Sequence, residues 1–283
     1  MSLVKTVLKK ILPSGIVQRM RRVLLRRHLK RFENRVAEHS YLGYRLRVAI
    51  RDSLAEGWYD RDWTEMPEVE FLRRSRLKRG ATVFDVGAHQ GLVAMVLARV
   101  VGDTGLVVAV EGTHHNTEVA VENCVLNDIR NVRVVHAVAA ESAGLTLSFS
   151  ESLNGAVGGD LSPTQVSSVS IDSLANKHRP PDVVFVDVEG YECQVLEGSK
   201  QTIEAGADFF VEVHAGGGLE QHGSVEQILA KFNTTKYDIH WSEGEQAVFQ
   251  PLKHLAVLPQ HKFFICCLAR HSQCSVIPRK ERK

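Results

Sequence analysis

Residues 83–111 read VFDVGAHQGLVAMVLARVVGDTGLVVAVE, and this stretch decides the fold. The run from Thr82 to Phe84 is short and largely apolar, as a strand covered on both faces must be, and Asp85 follows where a parallel strand opens into its binding crevice. Gly87 and Gly91 let the backbone turn tightly and approach a ligand, because neither carries a Cβ. Leu92, Met95, Val96 and Arg99 then recur at helical spacing, so a helix N-terminus faces the same crevice. A second apolar strand, Leu106 to Val110, delivers Glu111 to the place where a carboxylate can accept two hydrogen bonds from a ribose diol.

Two cofactor classes use this layout. A dinucleotide fingerprint G-x-G-x-x-G starting at Gly87 needs glycine at 89 and 92, where this chain has His89 and Leu92. A carboxylate at Asp85 would also face a pyrophosphate badly, whereas it suits the ammonium and sulfonium charges of S-adenosylmethionine. S-adenosylmethionine is therefore the favoured cofactor, held by Asp85, Gly87, His89, Gly91 and Glu111, with a nicotinamide-dependent oxidoreductase as the rival reading.

Working outward, strands and helices alternate: a helix over Asn116–Asn127, a strand at Val132–His136, then Val183–Val186, Glu192–Ala205, Phe209–Val213, Val225–Phe232, and short strands near Tyr237–His240 and Lys262–Leu268. This alternation predicts a doubly wound, mostly parallel α/β sheet. Before it, Leu42–Ile50 alternates like a half-buried strand and Glu65–Arg76 reads as a helix with Pro67 in its first turn. Between Ala137 and Ser170 the pattern changes to short strands and glycine-rich turns (Asn154 to Asp160), as in a substrate-facing insertion. The expected division is a basic extension over 1–40, the catalytic domain over 41–270 and a charged tail over 271–283 that frays at Arg279–Lys283.

The net charge of +2 conceals a strongly basic start, with eleven lysines and arginines from Lys5 to Arg35 against one acid, Glu33. Leu25, Leu29, Phe32 and Val36 fall on one helical face among the arginines, so the segment can lie on an anionic membrane or cap the domain. Nucleic acid is not expected as a partner, since no aromatic platform accompanies the charge. No apolar run approaches the roughly 20 residues of a membrane span, and no uninterrupted apolar core marks a secretory signal. The five cysteines (Cys124, Cys193, Cys266, Cys267, Cys274) lack zinc-site pairing and disulfide density, which fits a cytoplasmic protein with peripheral membrane contact as an added option.

A second constellation stands at Val183–Glu192, VVFVDVEGYE, where a buried strand brings Asp187 and Glu189 to the crevice edge. Asp172 lies upstream in VSIDSL, and FVEVH supplies Glu212 and His214. C-terminal strand ends share one edge of a parallel sheet, so Asp85, Glu111, Asp187, Glu189, Glu212 and His214 can line one cleft. Carboxylates gathered in this way repel unless a cation is bound.

These stretches resemble the FkbM family of S-adenosylmethionine-dependent methyltransferases: VFDVGAHQG with AVEGT, VENCVLNDIRNV with Asn123 and Asn127, VSIDSL, VVFVDVEGYECQVLEG and FVEVH, spanning about residues 42–268. The family usually has asparagine at His89 and proline at Gly112. The resemblance implies the class I methyltransferase (Rossmann-like) fold, with Asp85 and Gly87 at the methionine end of the cofactor and Glu111 on its ribose. It also implies O-methylation of a hydroxyl on a sugar, glycan or polyketide-like acceptor, with the 137–170 insertion and Gly216–Gly218 shaping the acceptor pocket. Methyl transfer to a hydroxyl needs alignment and a base, for which Asp187 ranks first, His214 second, and Glu189 is a third candidate. No residue is assigned to a metal, although the same carboxylates could instead hold a magnesium ion that acidifies acceptor hydroxyls. An inactive cofactor-binding scaffold docking through its basic arm is the non-enzymatic alternative. Removing residues 1–36 separates the readings of that arm: on the membrane reading the truncated protein stops sedimenting with anionic liposomes at low salt, and unchanged sedimentation rejects it.

Overall fold

The computed structural model describes residues 14–150, 152–157, 163–244, 247–254 and 258–270. The first thirteen residues, Cys274 and the tail expected to fray lie outside them, as do the last residues of the Asn154–Asp160 turn.

The basic arm forms helix α1 (Ser14–Arg31) and then changes course, because Arg35–Tyr41 is a strand, β1, paired antiparallel with β2 (Tyr44–Ile50). The expected helical stripe therefore stops short of Val36, which is exposed on β1, while Leu25 and Leu29 are partly buried and Phe32 packs against the core. The predicted strand at Leu42–Ile50 loses its first two residues to a tight turn, with Leu42 at φ 50° and Gly43 at φ 81°. Helices α2 (Ser53–Tyr59) and α3 (Pro67–Leu72) follow, the latter shorter than the Glu65–Arg76 expected but opening at the proline.

The free edge of β2 is closed by side chains of α5 (His114–Leu126) and the residue that caps it. The Asn123 Oδ1 accepts the Ala49 N–H at 2.7 Å, and the Asn127 side chain accepts from the Arg47 N–H and donates to its carbonyl. Asn123 Nδ2 also donates to the Gln90 carbonyl, so one amide joins the hairpin, α5 and the glycine turn. Unpaired strand edges are costly when buried, which gives both asparagines a structural reason.

The main sheet takes β3 (Thr82–Val86), β4 (Leu106–Glu111), β5 (Val132–His136), β10 (Val183–Val186), β11 (Asp208–Val213), β12 (Tyr237–Ser242), β13 (Gln250–Pro251) and β14 (Phe263–Ala269). The insertion between them holds β6 (Val138–Ala139), β7 (Thr146–Ser150), β8 (Ala156–Val157) and β9 (Pro163–Val169) as a second sheet. The main order is β13-β12-β14-β11-β10-β3-β4-β5, with β5, β4, β3, β10 and β11 parallel and β14 antiparallel to its neighbours. The mostly parallel sheet expected from the sequence is thus present. The order of winding reverses between β3 and β10, which opens the crevice beyond their C-terminal ends.

Alternation along each strand builds a core on both faces. Val83, Val107, Phe185, Phe210 and Cys266 pack on one side with α4 (Leu92–Val101), α2, α3 and β2. Phe84, Val108, Val184, Phe209 and Cys267 pack on the other with α6 (Ile171–Lys177), α7 (Glu192–Glu197) and α9 (Val225–Leu229). The adjacent cysteines face opposite cores, and Cys124, Cys193, Cys266 and Cys267 are free and buried.

The single helix expected over Glu192–Ala205 is two, α7 and α8 (Lys200–Glu204), parted at Gly198. A Cβ there would lie 2.2 Å from the Ala140 carbonyl oxygen, so glycine lets the insertion sheet approach, and the Gly198 carbonyl accepts from the Asp172 N–H. Asp172 is accordingly a cap: its carboxylate accepts from the Gln201 and Thr202 amides at 2.9 Å. Replacing Asn123 by alanine strands two buried backbone groups, and a loss of about 2–4 kcal/mol is expected in urea unfolding. A loss below about 1 kcal/mol would contradict this bracing role.

Candidate active site

The first half of the site is a pair of buried carboxyls. Because β3 runs on to Val86, Asp85 sits inside the strand rather than at its tip, buried against the first turn of α4. The Ala94 amide donates to it, and its Oδ2 is sealed and accepts no hydrogen bond. Burial and the nearby Glu111 charge push the Asp85 carboxyl up to about 7. Glu111 accepts the Thr113 N–H at 2.6 Å on Oε1 and the His89 N–H at 2.9 Å on Oε2, yet burial still raises it to about 7. Two such groups are poised to ionise when a positive charge enters.

Gly87, at φ 89°, turns the chain between them, and a Cβ would fall 1.6 Å from the Asp187 carbonyl oxygen. The glycine turn is therefore pressed against the loop that carries the acid cluster. Gly91 serves a different purpose, capping α4 at φ 78°, and a Cβ would meet Ala120 at 3.0 Å. It packs helices and does not line the cavity.

His89 is buried in a left-handed conformation, φ 48°. Its Nε2 lies 3.0 Å from the Leu153 carbonyl, which can only accept, so Nε2 carries the proton and Nδ1 accepts from the Tyr59 hydroxyl at 2.7 Å. Burial lowers its pKa to about 4, so the ring is neutral and acts as a strut from the insertion to α2. Gly112, the other departure from the family pattern, leaves room for the Phe149 ring, which a Cβ would approach to 2.7 Å.

The second half gathers at the ends of β10 and β11. His214 is buried, and its Nδ1 donates to Glu192 Oε1 at 2.7 Å. Its Nε2 faces Glu189 Oε2 and Glu212 Oε1 at 3.5 Å and Asp187 Oδ1 at 3.7 Å. Burial alone would lower the imidazole, but Glu192, Asp187 and Glu189 outweigh it and raise His214 to about 9. His214 is thus already protonated near neutrality, which removes it as the second-ranked base. Asp187 is pushed well above the ordinary carboxyl range by burial first and by Glu212 next. Glu189 sits at φ 50°, a strained backbone for a non-glycine residue, and accepts a bond from Asn154 of the insertion. Lys262 Nζ lies 2.7 Å from Glu212 Oε1.

A cavity of about 530 Å³ joins the two halves, lined by Asp85, Gly87, His89, Glu111, Asp187, Glu189 and Glu212. His214 stands behind the acids. Gly216–Gly218, expected at the acceptor pocket, lie outside its lining; Gly218 backs Gly190, whose Cβ would be 2.7 Å from the Gly218 carbonyl carbon. Sequence reasoning missed the opposite wall, Trp58, Tyr59, Arg61, Trp63 and Met66, because nothing local marks a preface loop as a partner of distant strands. It also missed Asp52, buried beneath the site. Burial pushes Asp52 up, but bonds from His115 and the Ala55 amide hold it below its ordinary value, and it receives the Gln90 amide at 2.6 Å.

Residues 85–238 match the family model for the methyltransferase FkbM domain. No curated protein matches the chain. Among solved structures, a methyltransferase FkbM from Methylobacillus flagellatus is 16% identical, with 66% of this chain and 43% of that one covered at a TM-score of 0.45. A putative rRNA methylase from Clostridium thermocellum is 13% identical over 72% of this chain and 94% of its own, TM-score 0.46. A SAM-dependent methyltransferase from Aquifex aeolicus is 16% identical over 71% and 88%, TM-score 0.43.

Asp85 and Glu111 hold protons to higher pH folded than unfolded, so the native state binds more protons between about pH 4 and about pH 7, and their contribution to stability falls as pH rises through that window. Asp85→Asn should therefore melt higher than the parent at pH 8, by about 4 kcal/mol in stability, and alike at about pH 4. Equal melts at both values would refute the assignment.

Proposed function

Because the chain belongs to the FkbM methyltransferase domain family, S-adenosylmethionine-dependent enzymes of the class I α/β fold, we propose that it methylates a hydroxyl of a small-molecule or glycan acceptor. The observation that carries this reading is the continuous cavity from the Asp85–Glu111 pair to Asp187, Glu189 and Glu212. The residues fit S-adenosylmethionine: the orphaned Asp85 carboxyl suits its cationic methionine end, Gly87 gives backbone clearance, and Glu111 is placed for the ribose. A dinucleotide pyrophosphate would instead press against the Asp85 carboxyl.

Bound there, the cofactor supplies a methyl group on a sulfonium, and transfer forms the acceptor O–CH₃ bond as the C–S bond breaks and sulfur keeps the electron pair. Asp187 receives the acceptor's proton; its raised pKa matches it to a hydroxyl better than an ordinary carboxylate would. The Gly87–Asp187 contact sets this base beside the methionine end, so alignment and proton removal share one piece of backbone. Trp58, Trp63, Met66 and Phe149 give the acceptor side an apolar wall suited to a sugar face or polyketide-like ring. Met20, Val23 and Leu24 are exposed on α1, which supports peripheral contact with an anionic membrane. No helix among the described residues is long and apolar enough to cross one.

S-adenosylhomocysteine should raise the melting temperature where NADH does not. Asp187→Asn should keep that shift while methyl transfer from labelled S-adenosylmethionine falls about 10²-fold or more. A shift with NADH alone would overturn the cofactor, and full turnover by the variant would remove Asp187 from the chemistry.

A further inference from the structure

We propose that Asp187, Glu212 and His214 form a binding site for a divalent cation of the magnesium or manganese type at the acceptor end of the cavity. The inference deepens the methyl-transfer reading and rests on it for the ion's role, not for its binding. One oxygen from each carboxylate and one ring nitrogen lie within 4.8 Å of one another, on the ends of β10 and β11.

Three features distinguish this group from an ordinary acidic surface. Asp187 Oδ1 is sealed from solvent and accepts no hydrogen bond, although about half of the side chain is exposed to the cavity. A shielded carboxylate oxygen that no donor satisfies is one that a cation can satisfy. The His214 ring is buried and oriented from behind, since the fully buried Glu192 takes its Nδ1 and aims Nε2 at the acids. That carboxylate–imidazole relay is the support metal-binding histidines use to fix ring and tautomer. The spacing also fits: the 3.5 and 3.7 Å from Nε2 to the carboxylate oxygens exceed hydrogen-bond length. Metal bonds of about 2.1 Å place neighbouring donors about 3.0 Å apart at right angles and about 3.4 Å apart at the tetrahedral angle, so the two histidine–carboxylate distances need to close by only a few tenths of an ångström, with the two carboxylates within 4.8 Å of each other.

Charge balance points the same way. Asp187, Glu189, Glu192 and Glu212 converge on one imidazole and the Lys262 ammonium, which pairs with Glu212. A dication would replace the imidazole proton, and because Lys262 already bonds Glu212 Oε1 at 2.7 Å, the ion would draw on the other oxygen of that carboxylate. Oxygen and nitrogen donors with open positions toward the cavity suit an ion that keeps waters or takes an acceptor oxygen. There it would orient the acceptor hydroxyl and lower its pKa; with Asp187 engaged by the ion, Glu189 would take over from it as the proton acceptor while the O–CH₃ bond forms and the C–S bond breaks.

The test is a Mn²⁺ titration of the full-length protein, read by loss of the free-ion electron paramagnetic resonance signal, without cofactor or acceptor. One saturable ion per chain is expected, weakened about tenfold or more in Asp187→Asn and in Glu212→Gln and unchanged in the exposed Glu226→Gln. S-adenosylhomocysteine thermal shifts on each variant certify the fold; should Asp187→Asn lose that shift, Glu212→Gln carries the test. Absence of saturable binding at millimolar Mn²⁺, or equal binding by all variants, overturns the site. Protein that binds S-adenosylhomocysteine but ignores Mn²⁺ loses the cation site and keeps methyl transfer, and the opposite pattern does the reverse.

Discussion

The contact between Gly87 and the Asp187 carbonyl fixes the relation on which the rest of the site depends. Strands β3 and β10 are neighbours, paired from Val83↔Val183 to Val86↔Val186, and their loops leave the sheet together. At 1.6 Å from an imagined Cβ, the carbonyl excludes every side chain at position 87. The Asp187 amide also donates to the Val86 carbonyl at 2.9 Å. The glycine turn and the loop bearing the acids are thus one rigid unit, and the interval between the two halves of the cavity is set by backbone.

Opposed electrostatics occupy the two ends of the cavity. Asp85 and Glu111 are isolated from cations, so burial lifts both. At the far end His214 and Lys262 offset four carboxylates, and Glu192, behind the ring, holds the imidazole in place. Buried like charges destabilise a fold; proton uptake relieves Asp85 and Glu111, and the imidazole and ammonium relieve the far acids.

How much of this the sequence disclosed follows from the range of each interaction. The strands Val132–His136 and Val183–Val186 are legible to the residue because a short run rich in valine is a local strand signal that needs no distant partner. Asp187, Glu189, Glu212 and His214 come together by the rule that parallel strand ends share an edge. The helix break at Gly198 is not legible, since it answers to Ala140 some sixty residues away, and neither is the preface wall at Trp58–Met66. Local spacing extends the helical stripe into Arg35–Tyr41, and pairing with β2 outweighs it. The rank of His214 as a base fails for the same reason: its titration is set by Glu192, which sequence distance does not place against it.

Among the described residues, the insertion meets the domain through Phe149 between Gly112 and Gly155, the Gly198–Ala140 approach, the His89, Asn116 and Asn154 bonds, and Ala137 and Ala139 in the core. It contributes nothing to the order of the main sheet. The insertion can therefore vary in shape without disturbing the strand order that holds Asp85, Glu111 and Asp187. Gly112, Gly155 and Phe149 act as one steric unit, since a Cβ at either glycine would fall within 2.7 Å of the ring that joins the halves.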